Sequence, residues 1–418
     1  MSDQLPTRKL GDSRVAEIIL GQSPPSSAYN DDGNGLPFFQ GKADFGLLHP
    51  TPRMWCNAGQ KFAQSGDVLM SVRAPVGDVN IATAECVIGR GVAAIRAGAE
   101  VDPWFLYFAL LYSKPTLEDR ATGSTFASIN KTTLHDLEIP FAERSEQTAI
   151  GAVLRQVVEK IEQEGRTVEV ATELKRAAMA SLFSRGLRGE AQKETEIGLL
   201  PESWNPRTIL DLCEIWSGGT PRKSVTEYWN GDIPWVSGKD LKRPALDDAI
   251  DHVSAAGVNA GSRLTPAGAV LLLVRGMGLA KDLPVAVINR PMAFNQDVKA
   301  LVSRGQYSGQ FLRSAIYAGK ERLLSQIVPS AHGTMTLNLN DVETFKVACP
   351  RDPDEAKDIV TILDTLDRKI DLHRKKRVVL EELFESLLHK LMTGEISVSD
   401  LDLSALSSAS TQREEATA

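Results

Sequence analysis

Cysteine is scarce. The 418 residues contain four, Cys56, Cys86, Cys213 and Cys349, far apart in the chain. None belongs to a CxxC pair or a Cys/His cluster, which excludes a zinc-finger type of site and a disulfide framework. Reduced thiols and a cytoplasmic location are therefore expected. Long apolar runs are missing too. No stretch approaches the ~18 residues of a membrane helix, so no membrane partner is expected. The opening MSDQLPTRKL is polar and is not read as a signal peptide.

Signatures of catalysis are equally absent. There is no Walker sequence and no Asn/Asp-Pro-Pro-Tyr/Phe of the kind amino-methyltransferases use. The six histidines, His49, His135, His252, His332, His373 and His389, form no HxxxH or HExxH pair, so no metal site is expected. Gly276-Met277-Gly278 follows a strand pattern but lacks the third glycine of a dinucleotide loop and reads as a tight turn. Pro353-Asp354-Glu355-Ala356-Lys357 superficially resembles a nuclease PD…ExK motif. Its two parts abut, with no hairpin to converge the carboxylates, so it reads as a helix start. A strong charge of either sign is lacking as well. The net charge is −7, from 47 basic and 54 acidic residues. Much of the excess acid lies in residues 354–418, with 14 acidic and 9 basic groups. A wholly basic DNA-binding face is excluded, and local loops and clefts are left.

What the chain does have is a pair of long amphipathic patterns. Ile150, Leu154, Val157, Ile161, Val168, Ala171, Ala178 and Leu182 recur at alternating four and three spacing, with Glu164 and Lys175 in two further heptad places. Adding 209 to these positions gives Ile359, Leu363, Leu366, Ile370, Arg377, Leu380, Leu387 and Leu391, with His373 and Phe384 in the further places. No proline interrupts the first pattern, and Gly165 is its one weak point. The 33 residues from Ile150 to Leu182 make a helix roughly 50 Å long. Its narrow seam calls for a partner of equal length, and an antiparallel pair with the other copy is expected. The alternative is two unrelated helices, each lying on its own domain.

The segments before the helices also correspond. Leu36-Pro37-Phe38-Phe39-Gln40-Gly41-Lys42 matches Ile233-Pro234-Trp235-Val236-Ser237-Gly238-Lys239, and residues 66–73 match 268–275. Phe105-Leu106 matches Phe311-Leu312, and residues 123–140 match 333–350, pairing Asn130 with Asn340. This is an internal duplication of a domain plus a helix. Residues 1–145 read as an α/β (α+β) globular domain. Within it, 66–81 reads as two strands about a turn at Ala74-Pro75, Cys86–Ile95 as one strand, and Trp104–Tyr112 as a buried helix after Asp102-Pro103. Residues 146–186 form the central helix, 187–204 a linker, 205–353 the second domain, 354–396 the C-terminal helix, and 397–418 a disordered tail.

Polar residues of DNA-contacting type fall at matched places. In the first copy they are Gln40, Lys42, Arg53, Arg73, Ser124, Thr125, Ser128, Asn130 and Lys131. In the second they are Thr220, Arg222, Lys223, Ser237, Lys239, Arg275, Asn295, Gln296, His332, Thr334, Thr336 and Asn338. Such side chains read base edges or hold phosphates. Singly each reads as a solvated loop residue. As a duplicated set they point to binding.

Domain, long helix, domain, long helix in one chain resembles the specificity subunit of type I restriction-modification systems. Local stretches resemble it as well: GQSPPSSAYNDDGNGLPFFQGKADFG at 21–46, GDVLMSVRAPVGDVNI at 66–81, GGTPRKSVTEYWNGDIPWVSGKDL at 218–241 and GTMTLNLNDVETF at 333–345. ETEIGLLPESW at 194–204 looks like the family's inter-domain segment, and LHKLMTGEI at 388–396 like the end of its second helix. The copies differ after their matched arginines, with Ala-Pro-Val-Gly in one and Gly-Met-Gly-Leu in the other. The resemblance implies two target-recognition domains held apart by an antiparallel coiled coil, each reading half of a split, asymmetric sequence in double-stranded DNA. It implies no catalysis and no cofactor of the chain's own. Two modification subunits would carry S-adenosylmethionine and methylate adenine after base flipping. Restriction subunits would bring ATP and magnesium. The alternatives are a coiled-coil scaffold that never touches bases, and a fused DNA methyltransferase or nuclease.

Overall fold

The computed structural model describes residues 5–121, 127–329 and 334–401. The chain divides into two compact units, Met1–Val168 with Leu372–Ala418, and Glu169–Asp371.

The first unit is built on two small sheets. One is antiparallel, in the order Ala16–Leu20, Val92–Ala97, Val68–Ser71, Val79–Ile81. The other runs Tyr29–Asn30, Trp55–Cys56, Leu36–Phe39, Cys86–Ile88, Phe62–Ala63, and Leu36–Phe39 lies parallel to Cys86–Ile88. Val68–Ser71 reads as a continuous apolar run because all four of its residues are buried. The stretch expected to be one strand, Cys86–Ile95, is two. Gly89-Arg90-Gly91 carries the chain from one sheet to the other, and only contacts between the sheets reveal that break. The helix Pro103–Tyr112 begins at Asp102, whose carboxylate accepts from the backbone N–H of Trp104 and Phe105, with proline in the first turn. The antiparallel pair Thr7–Lys9 and Glu138–Pro140 closes the domain by joining its two ends.

The second unit repeats the plan. Cys213–Ser217, Val298–Ser303, Val270–Leu273, Val285–Ile288 and Ala245–Leu246 form one sheet, and Asp251–Val253, Ile233–Val236, Met292–Phe294 and Leu264–Thr265 the other. Ser308 caps the helix Gly309–Ala318 as Asp102 does in the first copy. Trp204–Thr208 with Lys346–Pro350 closes this domain. The turns entering Val68 and Val270 both need a left-handed residue, and Gly66 (φ 91°) and Gly268 (φ 83°) supply it.

Two long helices, Arg144–Arg185 and Pro353–Thr393, supply the seam. In the first unit Ile150, Leu154, Val157 and Ile161 share a core with Leu387 and Leu391, and Phe108 meets Phe384 at 5.9 Å. In the second unit Leu182 shares a core with Ile359 and Leu363, and Lys175 donates to Asp367 at 2.5 Å. Early residues of one helix meet late residues of the other, so the pair is antiparallel. Ile370 is buried, whereas Leu366 and Leu380 are half-buried. Arg377 departs from the pattern. It is exposed, pairs with Glu381 at 2.8 Å, and lies over Gly165, where a Cβ would come within 3.9 Å of its guanidinium. A charge at the edge of a seam keeps its hydration by leaving it.

Glu164 and His373, one heptad place in the two copies, face each other. Glu164 is 5% exposed; His373 Nδ1 donates to it at 2.5 Å and Lys376 Nζ at 2.6 Å. Burial alone would raise the carboxyl, but hydrogen bonds from Lys376 and His373 outweigh it and hold it below its ordinary 4.5. A carboxylate with a depressed folded value stabilises the fold above its unfolded value, and that contribution is lost as pH falls through the folded one. Glu164→Gln is therefore expected to lower the melting temperature near neutrality and to lose this difference from wild type as the pH drops well below about 4.5. Thermal melts from about pH 6 to about pH 3 check it. A difference constant across that range would assign Glu164 a purely steric role.

Two stretches differ from the sequence expectation. Residues 187–204 include an antiparallel hairpin, Gln192–Thr195 with Gly198–Pro201, and Trp204 is fully buried. Gly198 at φ 109° makes the turn, and the Trp204 indole N–H donates to Glu355 at 3.2 Å. Of the tail read as disordered, Ser397–Leu401 is ordered. Ser397 caps a turn of helix at Val398–Asp400, and Val398 and Leu401 pack on the first unit's core. These apolar residues sit in a mostly polar segment, and only the tertiary surface beneath them makes their burial possible. The rest of the tail lies outside the described residues.

All four cysteines are free and buried. Burial pushes the thiols of Cys86, Cys213 and Cys349 up to about 12. Among the described residues no helix is long and apolar enough to cross a membrane.

Candidate nucleic-acid interface

In the first domain three loops converge at the strand ends. Leu36–Phe39 runs into Gln40-Gly41-Lys42, Val68–Ser71 runs on to Arg73, and Gly89-Arg90-Gly91 crosses between the sheets. With Ser23 they line a hollow of about 200 Å³. Main-chain bonds fix them together: Gly89 N–H donates to Phe39 O at 2.8 Å, and Val72 N–H to Gly91 O at 2.9 Å. Arg90 N–H donates to Ser23 Oγ at 3.1 Å. A Cβ at position 91 would stand 2.1 Å from Gln40 O, so the crossing is open to glycine alone.

The charges at this place are unequal. Lys42 pairs with Asp78 at 2.8 Å, and Asp78 also takes Lys114 at 2.8 Å. Arg53 is bound by Asp44 at 2.9 Å and by Ala43 O, so it braces its own loop. Arg73 and Arg90 are exposed, and neither guanidinium has a hydrogen-bond or ion-pair partner among the described residues. Gln40 is exposed, its amide reaching only Met54 Sδ at 3.6 Å. Arg73 is bridged through its backbone to Ser128. Asn130 stands at the start of the helix Lys131–His135, where its side chain accepts from Thr133 N–H at 2.8 Å. That is a capping role, and it leaves Lys131 exposed beside it. Ser124 and Thr125 lie outside the described residues.

The second domain builds the same place with different side chains. Arg275 is exposed and bridged through its backbone to Thr336, as Arg73 is to Ser128. Ser237 Oγ donates to Asp240 at 3.0 Å. Lys239 donates to Asp251 at 2.8 Å, and that hydrogen bond raises the ammonium pKa. Asn295 is 7% exposed and accepts from Asp297 N–H at 3.1 Å, which fixes the loop. Gln296 is exposed, and Thr220 Oγ1 donates to its Oε1 at 2.6 Å. Arg222 and Lys223 are exposed with no side-chain partner among the described residues, and Thr334 is half-buried. Asn338 stands at the N-terminus of the helix Leu339–Glu343, its amide donating to Asp341 at 3.1 Å. Structurally Asn338, and not Asn340, is therefore the counterpart of Asn130. His332 lies outside the described residues.

Arg90 is absent from the residues singled out in the sequence. Its signal was present, since Gly89-Arg90-Gly91 lies 206 residues before Asn295-Gln296-Asp297. Reading Cys86–Ile95 as one strand hid it.

Pro353-Asp354-Glu355 forms the first turn of its helix, as expected for a helix start. Asp354 pairs with Lys357, while buried Glu355 accepts from Leu187 N–H at 2.9 Å and from Trp204. Among the described residues no group of carboxylates, histidines and cysteines is placed to hold a metal ion.

Comparison with known proteins agrees with this architecture. A protein of Methanocaldococcus jannaschii provisionally named the type I restriction enzyme MjaX specificity subunit is 41% identical over 181 residues, 43% of each chain. The Escherichia coli EcoR124I/EcoR124II specificity subunit is 28% identical over 193 residues, 43% of this chain and 48% of that one. The chain thus spans somewhat under half the length of these curated relatives. The crystal structure of a type I S subunit from M. genitalium matches the fold at a TM-score of 0.63 and 19% identity, over 93% of this chain and 96% of that one. The family described as Type I restriction modification DNA specificity domain matches twice, at residues 6–172 and 201–382. With two such domains, each ending in one of its long helices, the chain belongs to the type I restriction-modification DNA specificity family.

Proposed function

We propose that this chain is the DNA-reading subunit of a type I restriction-modification complex, that each recognition domain takes one half of a split, asymmetric target, and that the chain performs no catalysis of its own. The observation that carries this reading is the duplicated loop cluster. Both domains present an exposed arginine, Arg73 or Arg275, bridged in the same way to a hydroxyl residue, while the side chains around it differ. A common scaffold with varied polar tips suits two readers of different sequences.

Two modification subunits carrying S-adenosylmethionine would dock on the helices and methylate adenine, and restriction subunits would add ATP- and magnesium-dependent cleavage. Support comes from apolar residues that the mutual seam leaves uncovered. On the C-terminal helix Leu372, Val379 and Leu383 are 63%, 61% and 41% exposed, at spacings of seven and four that put them on one stripe. The modest net charge of −7 suits a reader that leaves much of the phosphate contact to its partners.

The test is the methylome of cells carrying the modification subunit with and without this chain. A bipartite methylated motif that appears only when both are present is expected. Methylation of the same motif by the modification subunit alone would overturn the proposal.

A further inference from the structure

The two loop clusters share one residue type and differ in another, and that contrast is informative. Arg73 and Arg275 occupy matched positions and are identical. A phosphate contact carries no sequence information, so a residue that holds the backbone can stay the same in both copies. Gly89-Arg90-Gly91 and Asn295-Gln296-Asp297 also occupy matched positions. Each follows the strand that pairs in parallel with the Pro-aromatic strand, and each starts with an N–H donated to that strand's last residue, Gly89 to Phe39 O at 2.8 Å and Asn295 to Val236 O at 2.9 Å. Ser23 holds the first through Arg90 N–H, and Thr220 holds the second through the Gln296 side chain. At this matched place the chemistry changes from guanidinium to amide.

We propose that Arg90 and Gln296 hold the same base-reading place in the two recognition domains, Arg90 taking the O6/N7 edge of a guanine and Gln296 the N6/N7 edge of an adenine. Those are the edges a guanidinium and a carboxamide match in the major groove. Arg90 meets the requirements of a reader. Its backbone is clamped at the crossing, its guanidinium is exposed, and among the described residues no acidic group pairs with it. Lys42 beside it is already spent on Asp78. Gln296 is exposed, with Thr220 Oγ1 donating to its Oε1 at 2.6 Å and its Nε2 making a long contact to Asp297 Oδ2 at 3.4 Å; Oε1 keeps a lone pair for the adenine N6–H₂, and Nε2 keeps a second N–H for N7.

This inference rests on the DNA-reading function proposed above. The test uses the chain in complex with its modification subunit, carrying Arg90→Ala, Arg90→Gln, Arg90→Lys or Gln296→Arg. The readouts are the methylated motif in cells and the affinity for duplexes altered one base pair at a time. Arg90→Ala is expected to cut discrimination for guanine at one position of one half-site by about 10- to 100-fold. Arg90→Gln is expected to shift that position toward adenine, and Arg90→Lys to keep guanine. Gln296→Arg is expected to act at one position of the other half-site. Arg73→Ala is expected to weaken all duplexes alike and to flatten the salt dependence. If Arg90→Ala weakens all duplexes equally, Arg90 is a phosphate contact and the proposal falls. A bipartite wild-type motif left intact by the Arg90 and Gln296 variants overturns this inference alone. A wild-type complex with no bipartite motif overturns the DNA-reading function together with it.

Discussion

Exchanging residues 1–145 for those of a relative is expected to change one half of the methylated motif completely and leave the other half untouched. The physical basis is closure. The first recognition domain joins its own ends through Thr7–Lys9 and Glu138–Pro140, and its core forms within it and against the helices. Its loop cluster draws on residues 23–91 together with Ser128 and Lys131, all inside the exchanged segment. The cut falls in the first turn of the helix that starts at Arg144, so the graft keeps that helix's seam residues. The graft must also keep the apolar face of Phe105 and Phe108 that packs beside Ile150 and Leu154. A chimera that loses this face is expected to unfold, which a thermal melt detects independently of the motif. Single-molecule sequencing of the host DNA reads the result. A change in both halves, or in neither, would show that the domains do not read independently.

The second large effect is expected from Leu154→Asp. Leu154 is fully buried among domain and helix residues of the first unit. Removing a buried leucine costs about 2–5 kcal/mol, and an unpaired carboxylate in its place adds several more. The total is comparable with the ~5–15 kcal/mol that holds a typical domain together. The variant should lose its cooperative melt and fail to co-purify with the modification subunit. Val379→Asp is the paired control. Val379 is 61% exposed, so the same carboxylate stays hydrated there and should cost under about 0.5 kcal/mol. It should melt as wild type yet weaken co-purification, because it places a charge on the uncovered stripe. A Leu154→Asp chain that melts normally would remove the seam from its structural role. A Val379→Asp chain that co-purifies at wild-type ratio would mean that partners dock elsewhere.

The sequence by itself determined what depends on period and repetition. Heptad spacing within one helix is local, so Ile150 to Leu182 and Ile359 to Leu391 announced two long helices. The constant step of 209 announced that they belong to one duplicated unit. Caps and helix starts were legible for the same reason: Asp102 accepts from N–H groups two and three residues on, and Asp354 sits in the first turn of its own helix. The tertiary structure alone decided which polar residues already have partners. Lys42 pairs with Asp78, Arg53 with Asp44, and Asn130 caps a helix. It also decided that Cys86–Ile95 breaks at Arg90, because the break answers to Gln40, some fifty residues earlier, whose carbonyl leaves no room for a side chain at Gly91. Charge compensation and close backbone approach are properties of residues distant in the chain. No short window of sequence around Arg90 contains Ser23, Gln40 and Arg73, with which it lines one hollow.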